Sequence, residues 1–250
     1  MSWVAPGADA LFDALDATWP AAGTQALGGW TLRRGDGGGQ RVSSVRAVGE
    51  PGMALRDAVA AAEAAMRAWG QPPLFQIEPK DGALDAALSA LGYRVLSPCP
   101  FMAASSDALA GPGWGRRMVV RVRSPLAALD EMWGAGGIGP ARRAVMARAP
   151  APKETLTLRE DDRIAAAAFV GAHRGVAVMH ALHVAPTFRK RGLGRAMVAA
   201  CAAFAAENGA PTLAFPVEAA NAGALALYGG LGMIEVSRYH YRAAPEDAAT

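Results

Sequence analysis

Apolar positions along this chain recur at two periods, and the points where the period changes mark out its elements. Helical spacing governs Leu11, Phe12 and Leu15 after Asp9, then Leu55–Trp69, Asp85–Leu91, Gly192–Asn208 and Ala222–Leu231, with further helices after Pro125 and Pro140. Alternation or short unbroken apolar runs predict strands at Trp30–Arg33, Arg41–Val48, Leu74–Ile77 and Tyr93–Ala103. In the second half they predict strands at Arg116–Val122, Glu154–Arg159, Ile164–His173, Val176–Val184, Thr212–Val217 and Met233–Arg242. Gly35–Gly39 reads as a hairpin turn, and Ser105–Gly115, rich in Ser, Gly and Pro, as a linker.

The pattern repeats. ALDAALSALGYRVLSPCPFMAA (Ala83–Ala104) lies over GALALYGGLGMIEVSRYHYRAA (Gly223–Ala244), with Gly92 on Gly232. Upstream, AMRAWGQPPLFQIE and AFAAENGAPTLAFPVE share a helix–Gly–x–Pro–strand order, with a one-residue slip that a β-bulge absorbs. The chain therefore reads as two related units in tandem, residues 1–108 and 109–250, each an α/β unit. The fold class expected is a pair of mixed, mostly antiparallel sheets flanked by helices.

Composition narrows the class without naming a chemistry. The chain is 52% hydrophobic, carries a formal net charge of +3, and spreads its charged residues along its length. Its longest alanine-rich run, Ala196–Ala206, is interrupted by Glu207, Asn208 and Gly209, so no membrane partner is expected. MSWVAPGADALFD has no basic stretch followed by an apolar core, and a cytoplasmic location is expected. Cys99 and Cys201 form neither a disulfide framework nor metal-ligand spacing, so no metal is expected. The densest basic cluster, Arg189–Arg195, has another use, and no aromatics alternate with Lys or Arg elsewhere; nucleic acid is not expected as a partner.

That use follows from what surrounds the cluster. The strand-like run VAVMHALHV leads through Ala-Pro into RKRGLG (Arg189, Lys190, Arg191, Gly192, Leu193, Gly194), which opens a helix at Arg195 and beyond. Glycines at a helix start leave backbone N–H groups facing outward, the helix dipole adds its attraction, and guanidinium groups donate to phosphate in a planar fork. The loop therefore reads as a diphosphate site. The corresponding stretch of the first half, Val48–Asp57, carries Glu50 and Asp57 instead, and Leu88 falls where the second half has Tyr228. The first unit is expected to be degenerate.

Residues 115–243 resemble the GNAT superfamily of acyl-CoA-dependent N-acetyltransferases. The resemblance rests on R-x-x-G-x-G after a strand and on NAGALALYGGLGM (Asn221–Met233), where Met233 stands in place of the family's Phe. It implies acetyl-CoA as co-substrate, gripped by Arg189–Arg195 and by backbone groups of Leu182, His183 and Val184 where the strand parts from its parallel neighbour. Asn221 matches the residue that meets the pantetheine arm; it is equally placed to cap the helix that follows. Tyr228, about two turns further along that helix, is the implied acid for the departing thiolate, against the alternative of a core tyrosine. MHALHV resembles the LHALAV strand of arylalkylamine N-acetyltransferases, which makes His180 the base, with His183 and Glu218 as alternatives. Strict alternation puts His180 on one face with Leu182 and Val184, and His183 on the other. WGAGGIG (Trp133–Gly139) is expected as a mobile gate, with Trp133 lining the acceptor site or filling the core. The function implied is acetyl transfer to a primary amine of a small molecule or peptide; a non-catalytic acyl-CoA-binding module is the alternative.

Overall fold

The computed structural model describes residues 3–111, 118–122 and 127–245, so Arg116 and Pro125 lie outside the described residues. In the first half the elements run α1 (Ala8–Thr18), β1 (Gly23–Leu27), β2 (Trp30–Arg34), β3 (Val45–Ala47), α2 (Leu55–Ala68), β4 (Leu74–Ile77), α3 (Gly82–Ala90) and β5 (Arg94–Ser105). A short helix α4 (Ser106–Ala110) follows, then β6 (Val119–Val122), α5 (Ala127–Ala135), α6 (Pro140–Arg148), β7 (Lys153–Glu160), β8 (Arg163–His173) and β9 (Val176–Val184). The chain continues with α7 (Leu193–Glu207), β10 (Thr212–Pro216), α8 (Ala222–Gly229) and β11 (Ile234–Ala243). β1 escaped the sequence reading because it exposes three consecutive residues and shows no alternation. The expected linker is part structured: Leu109 of α4 is buried and the Ser106 N–H donates to Pro211 O at 2.9 Å.

The residues gather into two compact units that do not follow chain order. Unit 1 comprises Met1–Pro20, Phe101–Val217 and Asn221–Val236; unit 2 comprises Ala21–Pro100, Glu218–Ala220 and Ser237–Thr250. This differs from a simple cut between residues 108 and 109 in two respects. The first helix belongs with the later half of the chain, and the last strand of each half completes the sheet of the other unit. β5 pairs antiparallel with β10 through Phe101–Ser105, while β11 pairs antiparallel with β4 through His240–Ala243. Strand order is β5-β10-β9-β8-β7-β6 in unit 1 and β1-β2-β3-β4-β11 in unit 2. The strand run of each unit is mixed: among the described residues β9 lies parallel to β10 and β3 parallel to β4.

Helix α1 joins unit 1 because its apolar stripe needs a partner. Leu11, Phe12, Ala14 and Leu15 are fully buried, on a helix packed against β8 and β9. Burying Leu11, Phe12 and Leu15 is worth about 1.5–3 kcal/mol each. Helix α7 packs on the same strands with Met197, Val198, Cys201 and Phe204. The run Ala165–Ala168 in β8 has no exposed residue, as a strand buried on both faces requires, and its small side chains let helices approach. Gly171 permits the closest approach, since a Cβ there would stand 3.0 Å from Thr18 Cβ.

The internal repeat is visible at the ends of α3 and α8. Gly92 and Gly232 both adopt positive φ, 82° and 75°, and the following N–H groups of Tyr93 and Met233 donate back to Leu88 O and Tyr228 O. These are the same left-handed helix stop, built twice. Among the described residues, no helix is long and apolar enough to cross a membrane.

Candidate active site

The site forms where β9 leaves β10. Their parallel ladder holds three pairs, Thr212 with Val176, Leu213 with Ala177 and Ala214 with Val178, and ends there. β9 runs on to Val184 and keeps its other edge on β8, so the backbone of Leu182, His183 and Val184 faces the opening on its free edge. Pro216, which has no N–H, stands at the diverging end of β10.

A bulge in β9 shapes this opening and corrects the expected facing of its histidines. Phe169 pairs with His180 and Ala167 with His183, so three steps along β9 match two along β8. The extra residue is Ala181, at φ 51°. Because Phe169 and Ala167 share a face, His180 and His183 share one too; strict alternation fails at the bulge. The Trp133 indole N–H donates to Ala181 O at 3.1 Å, satisfying the carbonyl that the bulge turns out of the ladder. Trp133 is fully buried, so of its two expected roles it takes the core one, with a polar duty added.

His180 is buried on that face. Its ring stacks on Trp19, with centroids 4.8 Å apart at 24°, and Nε2 lies 2.9 Å from Thr18 Oγ1. The Thr18 hydroxyl donates to Ala14 O at 2.7 Å, so its oxygen accepts from His180 and the ring carries its proton on Nε2. His183 is half-buried and rests against Gly136, where any Cβ would collide with the imidazole. Burial, and then the nearby Arg189 charge, hold His183 below the usual histidine pKa of 6.5, so it is neutral at neutral pH. Glu218 is exposed and belongs to unit 2. The WGAGGIG segment closes α5 with a left-handed turn: Gly137 sits at φ 78° and the Ile138 N–H donates to Trp133 O at 2.8 Å.

The helix start of α7 has the form expected of an anion site. Gly192 is its N-cap, left-handed at φ 80° and ψ 4°, with no side-chain cap. Nothing stands within 4 Å of where its Cβ would be, so the approach is open, and Lys190, two residues before it, is also left-handed and exposed. Gly194 lets α8 come close, since a Cβ there would sit 3.0 Å from Leu227 Cδ2 and the leucine tip would have to give way. Leu193 plugs the core, leaving its backbone to the loop. The three arginines are not equivalent. Arg189 Nε donates to Val184 O at 3.2 Å and Arg195 Nη2 to Gly230 O at 3.3 Å, which holds both beside the glycines. Arg191 reaches instead toward Glu160 (3.8 Å) and Asp161 (3.5 Å) and lies over the Phe188 ring.

Asn221 caps α8, its Oδ1 accepting from the Ala224 N–H at 3.0 Å. Tyr228, on that helix, is 6% exposed and packs at 4.1 Å between ring centroids on Phe215. Burial pushes its phenol well above the ordinary value of 10, with the neighbouring Cys201 adding to the effect, so it stays protonated throughout the neutral range. Sequence reading did not find Thr18 or Trp19, and no local signal marks them, since each acquires its role only when α1 docks; Gly136 lay within the WGAGGIG segment, but its contact with His183 did not show there. Among the described residues, no three His, Cys, Asp or Glu side chains gather as metal ligands would.

Residues 128–233 match the sequence profile of the Acetyltransferase (GNAT) family. YobR, an uncharacterized N-acetyltransferase of Bacillus subtilis, is 26% identical over 236 residues, spanning 90% of this chain and 94% of its own. The ribosomal protein bS18-alanine N-acetyltransferase of Salmonella typhimurium is 38% identical over 97 residues, 37% of this chain and 66% of that protein. Among solved structures, a GCN5-related N-acetyltransferase from Kribbella flavida superposes with a TM-score of 0.75 at 20% identity, covering 96% of this chain and 97% of its own. A tandem GNAT protein from the clavulanic acid biosynthesis pathway does so with a TM-score of 0.58 at 15% identity, over 86% and 77%. The splayed strand pair and the open helix start thus lie in a GNAT acetyltransferase domain. This stretch is an acyltransferase domain of that family, and acyl-CoA is the co-substrate class that goes with it.

Proposed function

We propose that the protein transfers an acetyl group from acetyl-CoA to the primary amine of a small molecule or peptide, by direct attack of the amine on the thioester. The observation that carries this reading is the parting of β9 from β10 directly before the left-handed Gly192 and the start of α7. The open edge of β9 at Leu182–Val184 suits an extended amide-bearing arm, and the helix start suits the diphosphate at its other end. Arg189 and Arg195, anchored beside the glycines, contribute charge there; Arg191 contributes less, being drawn to Glu160 and Asp161. The Asn221 side-chain oxygen is committed to its cap, which leaves the amide NH₂ as the group that can donate to the arm.

As the amine nitrogen bonds to the thioester carbon and the carbon–sulfur bond breaks, Tyr228 gives its proton to the departing thiolate and recovers one from solvent. Its raised pKa guarantees the protonated form this needs. The attacking ammonium must first lose a proton, and the histidine face of β9 takes it. His183 is the half-exposed, neutral member of that face and receives the proton; His180, whose Nε2 is held by Thr18, stands behind it as support. Thioester consumption with a panel of primary amines tests the reading. CoA release that depends on the amine is expected. Tight acetyl-CoA binding without release by any amine would instead favour the acyl-CoA-binding module.

A further inference from the structure

Unit 2 has a cleft of its own, of about 350 Å³, at the place that corresponds to the co-substrate site of unit 1. It lies between the end of β3, the loop into α2 and the start of α3. Trp30, Val48, Pro51, Met53 and Leu84 form apolar walls, Asp81 and Glu50 contribute carboxylates, and Lys80, paired with Glu78, also borders the cleft.

The loop that replaces the phosphate loop is held shut on the β1–β2 turn. The Gly29 N–H donates to Glu50 O at 2.6 Å, and the N–H groups of Val48 and Gly49 both donate to Gly29 O, at 3.1 and 2.9 Å. Gly28 and Gly29 leave no room for a Cβ beneath Pro51 and Gly49, so the approach is structural and the cleft is preformed. The bonds to Gly29 O occupy the N–H groups of Val48 and Gly49, so neither faces outward toward an anion. Ala54 caps α2, and Asp57 in the first turn and Glu50 in the loop set negative charge where a diphosphate would come.

Asp81 is 8% exposed and uses Oδ2 to accept from the Glu78 N–H at 2.9 Å. The cations nearby are engaged with Glu78, which lies behind it: Arg46 Nε at 2.6 Å and Lys80 Nζ at 3.4 Å. A buried carboxylate on an apolar cleft, beside a loop and helix start that carry Glu50 and Asp57, fits a cation carried on an apolar body. We propose that unit 2 binds a small molecule bearing a primary ammonium on an aromatic or aliphatic body, with the ammonium on Asp81 and the body against Trp30, Met53 and Leu84. This site stands apart from the acetyl-transfer reading and needs none of its residues.

Burial, and then Glu78, raise the Asp81 carboxyl to about 6, while the Glu78 N–H bond, Lys80 and Arg46 oppose the rise. The carboxylate is therefore charged at neutral pH and lost on acidification through that value. Calorimetric titration of the full chain with phenethylammonium and with phenethyl alcohol, between pH 5 and 8, tests the site. Ammonium binding is expected to weaken by about tenfold per pH unit below 6 and to level off above it. The alcohol should bind at least tenfold more weakly, and Asp81→Asn should remove both the tenfold preference and the pH dependence, with kcat for acetyl transfer unchanged. Equal affinity for the alcohol in the wild-type protein, or ammonium binding indifferent to pH around 6, overturns the proposal without any variant having to fold. Loss of acetyl transfer with this binding intact would count against the acetyl-transfer reading alone.

Discussion

The two units share an element order, a parallel strand pair and a matched helix stop, yet they treat the start of the helix between the parallel strands in opposite ways. In unit 1, α7 begins at a left-handed glycine with open space above it and two anchored arginines alongside. In unit 2, α2 begins at Ala54, with Asp57 in its first turn and the loop N–H groups of Val48 and Gly49 bonded to Gly29 O. At the matched position on the next helix, unit 1 has Tyr228 and unit 2 has the fully buried Leu88. The packing scaffold thus recurs in both, while the differences gather at the helix start and at one position of the next helix. A fold of this kind is defined by its core and specialised at its helix starts.

The strongest way to break the comparison is at Tyr228. Tyr228→Phe keeps the ring on Phe215 and removes the acid, so kcat should fall by about 10²–10⁴ with acetyl-CoA affinity nearly unchanged. A kcat within about twofold of wild type would make Tyr228 as structural as Leu88. Gly192→Asp gives the helix start of unit 1 the character of unit 2. A carboxylate beside the diphosphate and a side chain at φ 80° should raise the acetyl-CoA Kd by roughly 100-fold, about 2.7 kcal/mol, by calorimetry. The same change at Ala54 should leave that Kd alone, and an equal response at both positions would erase the distinction.

A smaller effect should separate the two histidines. The neutral form of His183 is favoured, so the acidic limb of kcat/KM is expected below 6.5, activity falling as pH drops and the imidazole protonates. His183→Gln should abolish that limb; His180→Gln should keep it and lower thermal stability through the lost Thr18 bond. The reverse pattern assigns the proton to His180. The mildest change is Trp133→Phe, which leaves Ala181 O without its donor. A loss of about 1–3 kcal/mol is expected, seen as a fall in Tm of about 2–4 °C for each of those kcal/mol. An unchanged Tm would show that the bulge needs no support.

Much of this site was legible because glycine at a helix start and a tyrosine two turns along a helix are local patterns. Gly192, Gly194, Asn221 and Tyr228 stand on the elements expected of them. The bulge was not legible: Ala181 is neither glycine nor asparagine, and nothing in MHALHV announces a left-handed alanine, so His183 was read onto the wrong face. The setting of His180 escaped for a different reason. Thr18 and Trp19 lie far from it along the chain, and an amphipathic helix states that it has a buried face without stating what covers it. The exchange of last strands was invisible for a third reason: β5 and β11 are near copies, and periodicity alone cannot choose which sheet edge each one joins.

That exchange sets an order on synthesis. As the polypeptide leaves the ribosome, every strand of unit 2 except one is made within the first hundred residues, but β4 meets its outer neighbour only when His240–Ala243 emerge. Meanwhile β5 is finished and must wait for Thr212–Pro216 before its Phe101–Ser105 segment is paired. Unit 2 therefore spends most of translation with an open sheet edge, the kind of edge that recruits strands from other chains. Unit 2 is therefore the one whose completion waits longest, and a ribosome that stalls short of residue 240 releases it with that flank of β4 unpaired.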